Sequence, residues 1–385
     1  MKILIVGCGM YVTGRGETGV GTVLASVLQV ASIKDNYSVT ICALKESNSE
    51  VVDSSAKRIN RLLGTNVSVD YVKYDGTNTG LRDLANDRKF DIAIIATPDT
   101  VHYSQLKVLI SLGIHCLCVK PLVLTSNDHQ SLIDLLHDNN TYGAVEFHKR
   151  WDESNLYIKK ILRDGAFGKL HNITFDYSQR IQIPTDVFSE WVTNTNIFQY
   201  LGVHYVDLVA WLTDAKPKRL FCHGTYGELR ARGVNTWDSV HVWIIWSKDN
   251  GDEFLTQYNL SWVDSNLSPA LSDQSYKILG SKGRVEVDQR DRGISLTLHD
   301  NPMQYVNPWF SELLDGPDDN LNIQGYGYKS ISQFIFDCES ILAGLASPLN
   351  FTNKRPTFEN CLVSTRVIEI VNRCLHQNVK EVINL

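Results

Sequence analysis

Two residues of this chain carry titratable side chains within apolar segments. Lys120 ends the apolar run IHCLCV and is followed by Pro121. A lysine is costly to bury without a partner, so the simplest interpretation is that Lys120 marks the exit of a strand into solvent. His204 lies in LGVHYVDLVAWL, four residues after Tyr200, so both side chains would share one face of a helix. An imidazole titrates near neutrality and can take a hydroxyl proton, although a lone helical histidine is more often a core residue.

A glycine pair follows the first apolar run of the chain, KILIVGCG. Gly7 and Gly9 permit a tight turn and a close approach of backbone N–H groups to a pyrophosphate, but a GxG alone is a weak signal. The usual third glycine would fall at Val12. Instead, Met10 and Tyr11 lead into TGRGETGVGT, which we interpret as a long loop for phosphate approach, with a plain surface loop as the alternative. The next helix then begins late, at TVLASVLQ.

The end of the second apolar run bears on which dinucleotide is bound. Folds of this kind usually place an acidic residue there, to hold the ribose hydroxyls of NAD. Here Ala43 and Leu44 occupy that place, and Lys45 and Ser47 follow, so a 2′-phosphate would be less repelled. This slightly favours NADP, while Glu46 keeps NAD open.

The elements that must position these residues alternate through about residue 125. Continuously apolar strands separated by helical segments predict a doubly wound, Rossmann-type parallel sheet, which binds ligands at the carboxyl ends of its strands. Later segments such as SVHVWIIWS and EFLTQYNLSWV alternate with period two. We therefore predict an α/β protein of two domains: residues 1–125, and residues 126–385 with an α+β fold and a large, mostly antiparallel open sheet.

Composition excludes several classes of function. The 385 residues are 43% hydrophobic and 21% charged, with a formal net charge of -6, so no basic field attracts nucleic acid or an anionic membrane. The eight cysteines form no CxxC pair and predict neither a metal site nor disulfides. The N-terminal apolar run is too short for a signal peptide, and no membrane-spanning run occurs, so we expect a cytoplasmic protein.

One segment, DIAIIATPDTVHYSQLKVLISLGIHCLCVKPLVLT, joins these signals. A strand ends at Thr97 and Pro98, His102 follows, and after a helix the next strand ends at Lys120 and Pro121. This order resembles the Gfo/Idh/MocA family of oxidoreductases, whose pattern is TPxxxH followed by EKP. GAVEFHKRWDESN, GAFGKL, LGVHYVDLVAWL and YKILGSKGRVEV resemble further family segments, so the likeness covers nearly the whole chain.

The resemblance implies an NAD(P)-dependent enzyme that transfers hydride between a nicotinamide and a hydroxyl-bearing carbon of a sugar, nucleotide sugar or polyol. It places Lys120 beside the nicotinamide, where desolvation and a cationic ring lower the lysine pKa toward neutrality. Lys120 would orient the substrate oxygen, and His204 would move the hydroxyl proton. We predict a catalytic set of Lys120, His204 and Tyr200.

Two further residue sets follow from the same resemblance. The predicted cofactor-binding residues are Gly7, Gly9, Met10, Tyr11, Lys45, Ser47, Thr97, Pro98, His102, Lys120 and Pro121, with a structural role for His102 and a cis peptide before Pro121 as in relatives. The predicted substrate-binding residues are Lys120, Lys149, Arg150, Tyr200 and His204, although two adjacent cations such as Lys149 and Arg150 are also common on surfaces.

Two departures from the family pattern leave alternatives open. Val119 replaces the glutamate of EKP, and Tyr200 replaces the aspartate of DxGxH, while Gly202, His204 and Asp207 match. Tyr200 would either donate a hydrogen bond to the substrate or only pack. The alternatives to a dehydrogenase are a dinucleotide-binding regulator without turnover, and an enzyme whose retained cofactor assists elimination or hydrolysis by transient oxidation.

The second domain also predicts self-association. Its sheet carries many aromatic and β-branched residues, and an exposed face of that kind indicates a homo-oligomer formed through the sheet. The family resemblance implies a homodimer or homotetramer.

Overall fold

The structure is a computed structural model that describes residues 1–14, 19–34, 36–299, 301–316, 320–377 and 383–384, with only the backbone described at 189–190 and 383–384. Two compact units make up the chain: Met1–Asp152 with Pro308–Leu362, and Glu153–Asn307 with Val363–Leu385. This grouping differs from the predicted division after residue 125, because a strand at 143–146 pairs with the sheet of the first unit.

Residues 1–152 alternate strands and helices. The elements are β1 (Lys2–Val6), α1 (Met10–Thr13), α2 (Val23–Ser32), β2 (Ser38–Ala43), α3 (Asn48–Leu63), β3 (Val69–Lys73), α4 (Asn78–Arg88), β4 (Ile92–Ile95), α5 (His102–Ser111), β5 (His115–Val119), α6 (Ser126–Asp138) and β6 (Gly143–Glu146).

Most of the regular elements within residues 153–307 are strands. The elements are α7 (Glu153–Arg163), β7 (Leu170–Arg180), α8 (Val203–Thr213), β8 (Lys216–Thr225), α9 (Glu228–Ala231), β9 (Ser239–Ser247), β10 (Glu253–Asp264), β11 (Ser272–Gly280), β12 (Gly283–Asp288), β13 (Ser295–Leu298) and β14 (Asn301–Tyr305).

The remainder of the chain contributes two long helices. The elements are β15 (Glu312–Asp315), β16 (Leu321–Gln324), α10 (Tyr326–Leu342), α11 (Phe358–Gln377) and β17 (Ile383–Asn384).

The first unit contains a parallel sheet of order β3-β2-β1-β4-β5-β6. Its central strands are apolar throughout because both faces are covered: Ile3–Val6 and Ile92–Ile95 are at most 1% exposed. The strand order reverses between β1 and β4, and a crevice for ligands forms at the carboxyl ends of the strands beside such a reversal. The predicted doubly wound sheet is confirmed.

The second unit contains a sheet of order β12-β11-β7-β10-β9-β8-β17, antiparallel except for the parallel pair β7 and β10. Alternate residues of β9 point into the core, so Val242 and Ile244 are 0% exposed while Trp243 between them is 49% exposed. Side chains of α8 complete this core, including Tyr205 and Leu208. The predicted α+β fold with a mostly antiparallel sheet is confirmed.

No helix among the described residues has the length and apolarity that a membrane crossing requires.

Candidate functional site

The turn after β1 has the geometry that a phosphate needs. Gly7 has φ +105°, and a Cβ there would lie 2.4 Å from the carbonyl oxygen of Ala96, so only glycine lets the ends of β1 and β4 approach this closely. Gly9 precedes α1, and a Cβ at Gly9 would meet no other atom within 4 Å. The backbone at Gly9 therefore borders open space that a pyrophosphate can enter.

Two glycines of the following loop serve packing instead, contrary to the expectation that they serve phosphate approach. Gly14 has φ +88° and a Cβ there would lie 1.9 Å from the carbonyl oxygen of Gly19. Gly21 has φ +66° and its Cβ would lie 2.4 Å from the carbonyl oxygen of Val12. The loop thus closes on itself, and its residues 15–18 lie outside the described part of the chain. The late helix start is confirmed, since α2 begins at Val23.

The predicted dinucleotide-selecting residues follow β2, which ends at the buried Ala43. Lys45 and Ser47 are both exposed, as is Glu46 between them. The hydroxyl of Tyr71 donates a hydrogen bond to the carbonyl oxygen of Lys45 at 2.5 Å. The segment is therefore anchored through its backbone, which leaves the side chains of Lys45 and Ser47 available to a ligand.

His102 connects the ends of β4 and β5. Its imidazole is 0% exposed. Nδ1 lies 2.9 Å from the carbonyl oxygen of Pro121 and 3.1 Å from that of Leu122, and Nε2 lies 2.9 Å from that of Thr97. The hydroxyl of Thr97 in turn donates to Oε1 of Gln105 at 2.7 Å. This arrangement suits the structural role expected for His102, because it holds the turn that presents Lys120.

Lys120 follows β5, is partly exposed, and is joined to Pro121 by a cis peptide bond. Burial lowers the pKa of Lys120 to about 7, although the nearby charges of Glu146 and Asp99 act in the opposite direction. Desolvation disfavours the ammonium form and neighbouring carboxylates favour it, and here desolvation prevails. Lys120 can therefore exchange a proton near neutral pH.

Glu146 is a site residue that the sequence reasoning missed. It ends β6, is 2% exposed, and pairs in register with Val119 of β5. Its carboxylate accepts a hydrogen bond from Nδ1 of His148 at 2.9 Å. The sequence contains a feature that could have identified Glu146, because an acidic residue follows the apolar run GAV in GAVEFH. The ends of adjacent parallel strands lie side by side, so such a residue can lie at the ligand edge of the sheet.

Lys149 and Arg150 lie in a short 3₁₀-helix, His148–Trp151, at the end of the first unit's N-terminal part. They are only 6% and 7% exposed. A solvated surface pair is therefore excluded for them, because cations this deeply buried require polar partners. Their predicted contact with substrate stays a prediction.

In the second unit, the predicted helix around His204 begins with an irregular turn. A π-helical turn spans Phe198–Gly202, and α8 begins directly after it. Side-chain Oδ1 of Asn196 accepts the backbone N–H groups of Phe198 and Gln199, each at 3.0 Å, and so stabilises the start of the turn. Turns of this kind occur frequently at functional sites.

The amide of Asn196 also belongs to a chain of hydrogen bonds that the sequence did not reveal. Its Nδ2 donates to Oδ1 of Asn372 at 2.8 Å, and Nδ2 of Asn372 donates to Oε1 of Gln199 at 2.7 Å. Asn372 lies in α11, far along the chain. These bonds hold the π-helical turn in place from outside the segment.

Tyr200 lies in that turn within an aromatic cluster. Its ring centroid is 4.8 Å from Phe188, 5.7 Å from Trp191 and 6.2 Å from Trp262. Burial raises the pKa of Tyr200 to about 12, so the phenol keeps its proton near neutral pH and is available as a donor. Both predicted interpretations, packing and hydrogen-bond donation, are compatible with this position.

His204 and Asp207 lie three residues apart on α8 and are 3% and 1% exposed. The two residues and Tyr200 belong to the second unit, whereas Lys120 belongs to the first. Joint action of Lys120 and His204 on one substrate stays a prediction. Within the described residues, no group of three or more His, Cys, Asp or Glu side chains is arranged to hold a metal ion.

Two family models match this chain. Residues 1–147 match the oxidoreductase family with an NAD-binding Rossmann fold, GFO/IDH/MocA, and residues 155–286 match the GFO/IDH/MocA C-terminal domain. The matched ranges include Lys120 and Glu146 in the first model and Tyr200 and His204 in the second.

Characterised relatives share short segments with the chain. A scyllo-inositol 2-dehydrogenase (NADP(+)) of Bacillus subtilis is 25% identical over 128 residues, which cover 33% of this chain and 36% of the relative. A levoglucosan dehydrogenase of Pseudarthrobacter phenanthrenivorans is 21% identical over 174 residues, which cover 44% of this chain and 41% of the relative. The aligned segments thus span less than half of either relative.

Solved structures share the whole fold. The scyllo-inositol dehydrogenase of Lactobacillus casei, solved with NAD(H) and scyllo-inositol, superposes with a TM-score of 0.67 at 15% identity, covering 100% of this chain and 98% of that one. A putative myo-inositol dehydrogenase of Sinorhizobium meliloti gives a TM-score of 0.63 at 16% identity, covering 100% and 99%. At such identities the likeness establishes the fold alone.

Proposed function

Because the chain belongs to the Gfo/Idh/MocA family of oxidoreductases, we propose that it is an NAD(P)-dependent dehydrogenase acting on a hydroxyl-bearing carbon of a sugar or polyol. The observation that carries the proposal is Lys120, an amine with a pKa of about 7 at the carboxyl edge of a dinucleotide-binding sheet. A bound nicotinamide supplies the chemistry of hydride transfer. The protein must supply the groups that move the hydroxyl proton.

The residues at the carboxyl ends of β1, β2 and β4 fit a dinucleotide. The open space at Gly9 admits a pyrophosphate, and Met10 beside it is 50% exposed. We favour NADP over NAD because β2 ends at Ala43, without an acidic residue at the strand end, and the exposed Lys45 can attract a 2′-phosphate. Calorimetry with each dinucleotide tests this preference.

Lys120 is suited to both directions of the reaction. Near its pKa, the neutral amine accepts the proton of a substrate hydroxyl, and the ammonium form donates a hydrogen bond to a carbonyl oxygen. We assign His204 a second role in moving that proton, since an imidazole exchanges protons in the same pH range. The Tyr200 phenol keeps its proton and orients the substrate by donating a hydrogen bond.

We propose a polyhydroxylated ring as the substrate class. The relatives named above act on inositols and levoglucosan by their names, and all of these are rings with several hydroxyl groups. Lys149 and Arg150 offer buried donors that suit hydroxyl oxygens, and they lie three and four residues after the end of β6, the strand that carries Glu146.

The decisive experiment combines binding and turnover. NADP and NAD are titrated into the full chain by calorimetry, and scyllo-inositol, myo-inositol and levoglucosan are then screened through the absorbance of the reduced nicotinamide. Binding of one dinucleotide with turnover of a ring polyol is the expected result. Absence of any dinucleotide binding would refute the proposal.

No observation favours the two alternative functions over a dehydrogenase. A regulator without turnover was suggested by the loss of both family carboxylates, at Val119 and Tyr200, but the charge of Glu146 acts on Lys120 in place of the first. A redox-assisted elimination or hydrolysis would show product by mass spectrometry without net reduction of the dinucleotide. The turnover screen therefore includes product analysis.

We further propose that a second copy of the chain covers the open face of the second unit's sheet. Trp243 is 49% and Leu279 is 39% exposed on that face, and the Phe221 ring lies 6.1 Å from that of Trp243. An exposed apolar face of this kind is typical of an association surface. Light scattering at micromolar concentration is expected to report a dimer or tetramer, and a monomeric mass would contradict the proposal.

A further inference from the structure

We propose that Glu146, held by His148, is the positioning residue that stabilises the protonated form of Lys120 and orients its amine in the site. This inference deepens the proposed function and rests on it for its catalytic meaning. The carboxylate that the family pattern places at position 119 is absent here, and the structure supplies one from the neighbouring strand.

Strand register places Glu146 beside Val119, the residue before Lys120. Val119 at the end of β5 pairs with Glu146 at the end of β6. Lys120 directly follows Val119 in the sequence. Side chains at the carboxyl ends of adjacent parallel strands meet at one edge of the sheet, and neighbouring strands are about 4.8 Å apart. A carboxylate at 146 can therefore replace one at 119 in its action on Lys120.

Glu146 also has a polar partner of its own. It is 2% exposed, and a carboxylate buried this deeply requires polar contacts. His148 provides one: its Nδ1 lies 2.9 Å from Oε2 and 3.2 Å from Oε1 of Glu146. An ionised carboxylate only accepts hydrogen bonds, so Nδ1 carries the proton and donates it.

Aromatic rings in turn fix the orientation of His148. Its ring centroid lies 5.6 Å from that of Tyr326, nearly parallel, and 5.0 Å from that of Phe310, edge to face. The imidazole thus cannot rotate away from Glu146 without losing both ring contacts. The side chain of His148 retains 15% exposure.

The carboxylates of Glu146 and Asp99, both in the first unit, act on the pKa of Lys120. Glu146 on β6 has the larger effect and Asp99, after β4, the smaller; both raise the lysine pKa against the lowering effect of burial. His102 contacts the backbone of Pro121, and His148 acts through Glu146. Removing the charge of Glu146 therefore lowers the lysine pKa further below about 7.

The test measures the ionisation of Lys120 directly and needs no substrate. Lysines of the full chain are reductively methylated with ¹³C-formaldehyde, the Lys120 resonance is assigned by its absence in Lys120→Arg, and its chemical shift is titrated with pH. In Glu146→Gln the midpoint is expected to fall by about one pH unit relative to the wild type. Asp99→Asn is expected to cause a smaller fall, and the exposed Asp83→Asn serves as the control without a shift.

A Lys120 midpoint that is the same in Glu146→Gln and the wild type would overturn the inference. Should Glu146→Gln fail to fold, Glu146→Met is titrated instead, because an apolar side chain of similar volume avoids an unpaired buried polar group. Dinucleotide calorimetry on the same samples separates the two proposals: no binding by the wild type refutes the dehydrogenase, whereas the titration alone decides the role of Glu146.

Discussion

The two positions that depart from the family pattern, Val119 and Tyr200, have opposite outcomes in the structure. At Val119 the missing carboxylate is supplied by Glu146 on the neighbouring strand, so Lys120 keeps an anionic neighbour. At Tyr200 the missing aspartate is replaced by a neutral phenol inside an aromatic cluster. The first position therefore keeps a carboxylate nearby, whereas the second carries a neutral phenol.

A missing carboxylate is replaced more readily at the end of a parallel strand than on a helical turn. Parallel strands end at a common edge, so a side chain from one strand can occupy the space beside the end of the next. A residue on a helical turn has its own packing partners, and at Tyr200 these are Phe188, Trp191 and Trp262. An aspartate at position 200 would face aromatic rings, which offer a carboxylate no compensation for lost hydration.

The largest effect is expected at Lys120. Lys120→Met is expected to lower kcat by about a thousandfold, because proton transfer by a positioned group contributes a factor of roughly 100 to 10,000. Steady-state kinetics with the best ring polyol measure this. Lys107→Met, at an exposed position on α5, is the matched control and should keep the wild-type rate. A loss of less than tenfold in Lys120→Met would remove Lys120 from the mechanism.

The second largest effect is expected at His204 of the second unit. His204→Gln is expected to lower kcat by about a hundredfold, since glutamine can donate a hydrogen bond but cannot accept the hydroxyl proton at neutral pH. Dinucleotide affinity should stay the same. The control is His171→Gln on β7, where the histidine is exposed. Equal rates for His204→Gln and the wild type would show that α8 contributes packing alone.

A smaller effect distinguishes the two interpretations of Tyr200. Tyr200→Phe keeps the contacts with the aromatic cluster and removes only the hydroxyl. A three- to tenfold rise in KM is expected if the phenol donates to the substrate, because one neutral hydrogen bond contributes about 0.5–1.5 kcal/mol. An unchanged KM would leave packing as the sole role of Tyr200.

The smallest expected change concerns pH. Burial lowers the lysine pKa to about 7, so Lys120 loses its proton as the pH rises through 7, and the rate of alcohol oxidation should rise over the same range. Tyr200 has a pKa raised to about 12 and does not titrate there. The midpoint of the pH–rate profile should therefore be the same in Tyr200→Phe and the wild type. A shifted midpoint in that variant would show that the Tyr200 hydroxyl acts on the group that titrates.

The sequence predicted which residues lie at the strand ends, but it did not predict which side chains are their neighbours. Lys120, Thr97 and Gly7 were located because each ends an apolar run, and the ends of parallel strands form the ligand edge of a doubly wound sheet. Glu146 also ends such a run, yet its relation to Lys120 depends on which strands are neighbours. Strand order follows from packing of the whole sheet, and a pattern along the chain does not encode it.

The helix carrying His204 gives the same lesson at shorter range. The sequence predicted a helix at LGVHYVDLVAWL, and helical structure is present over Phe198–Thr213. The π-helical turn was not predicted, because its hydrogen bonds involve Asn372, which lies 173 residues from Gln199. Lys149 and Arg150 were likewise open to a surface interpretation until their burial was known.

By itself the sequence determined the family, the two types of sheet and the residues whose side chains can take part in catalysis. Each of these depends on the local spacing of apolar, glycine and titratable residues. The tertiary structure decided which of those residues are neighbours and how their charges are tuned. A lysine pKa of about 7 and a carboxylate on the adjacent strand are products of burial and register. Both arise only when segments distant along the chain exclude water from the same place.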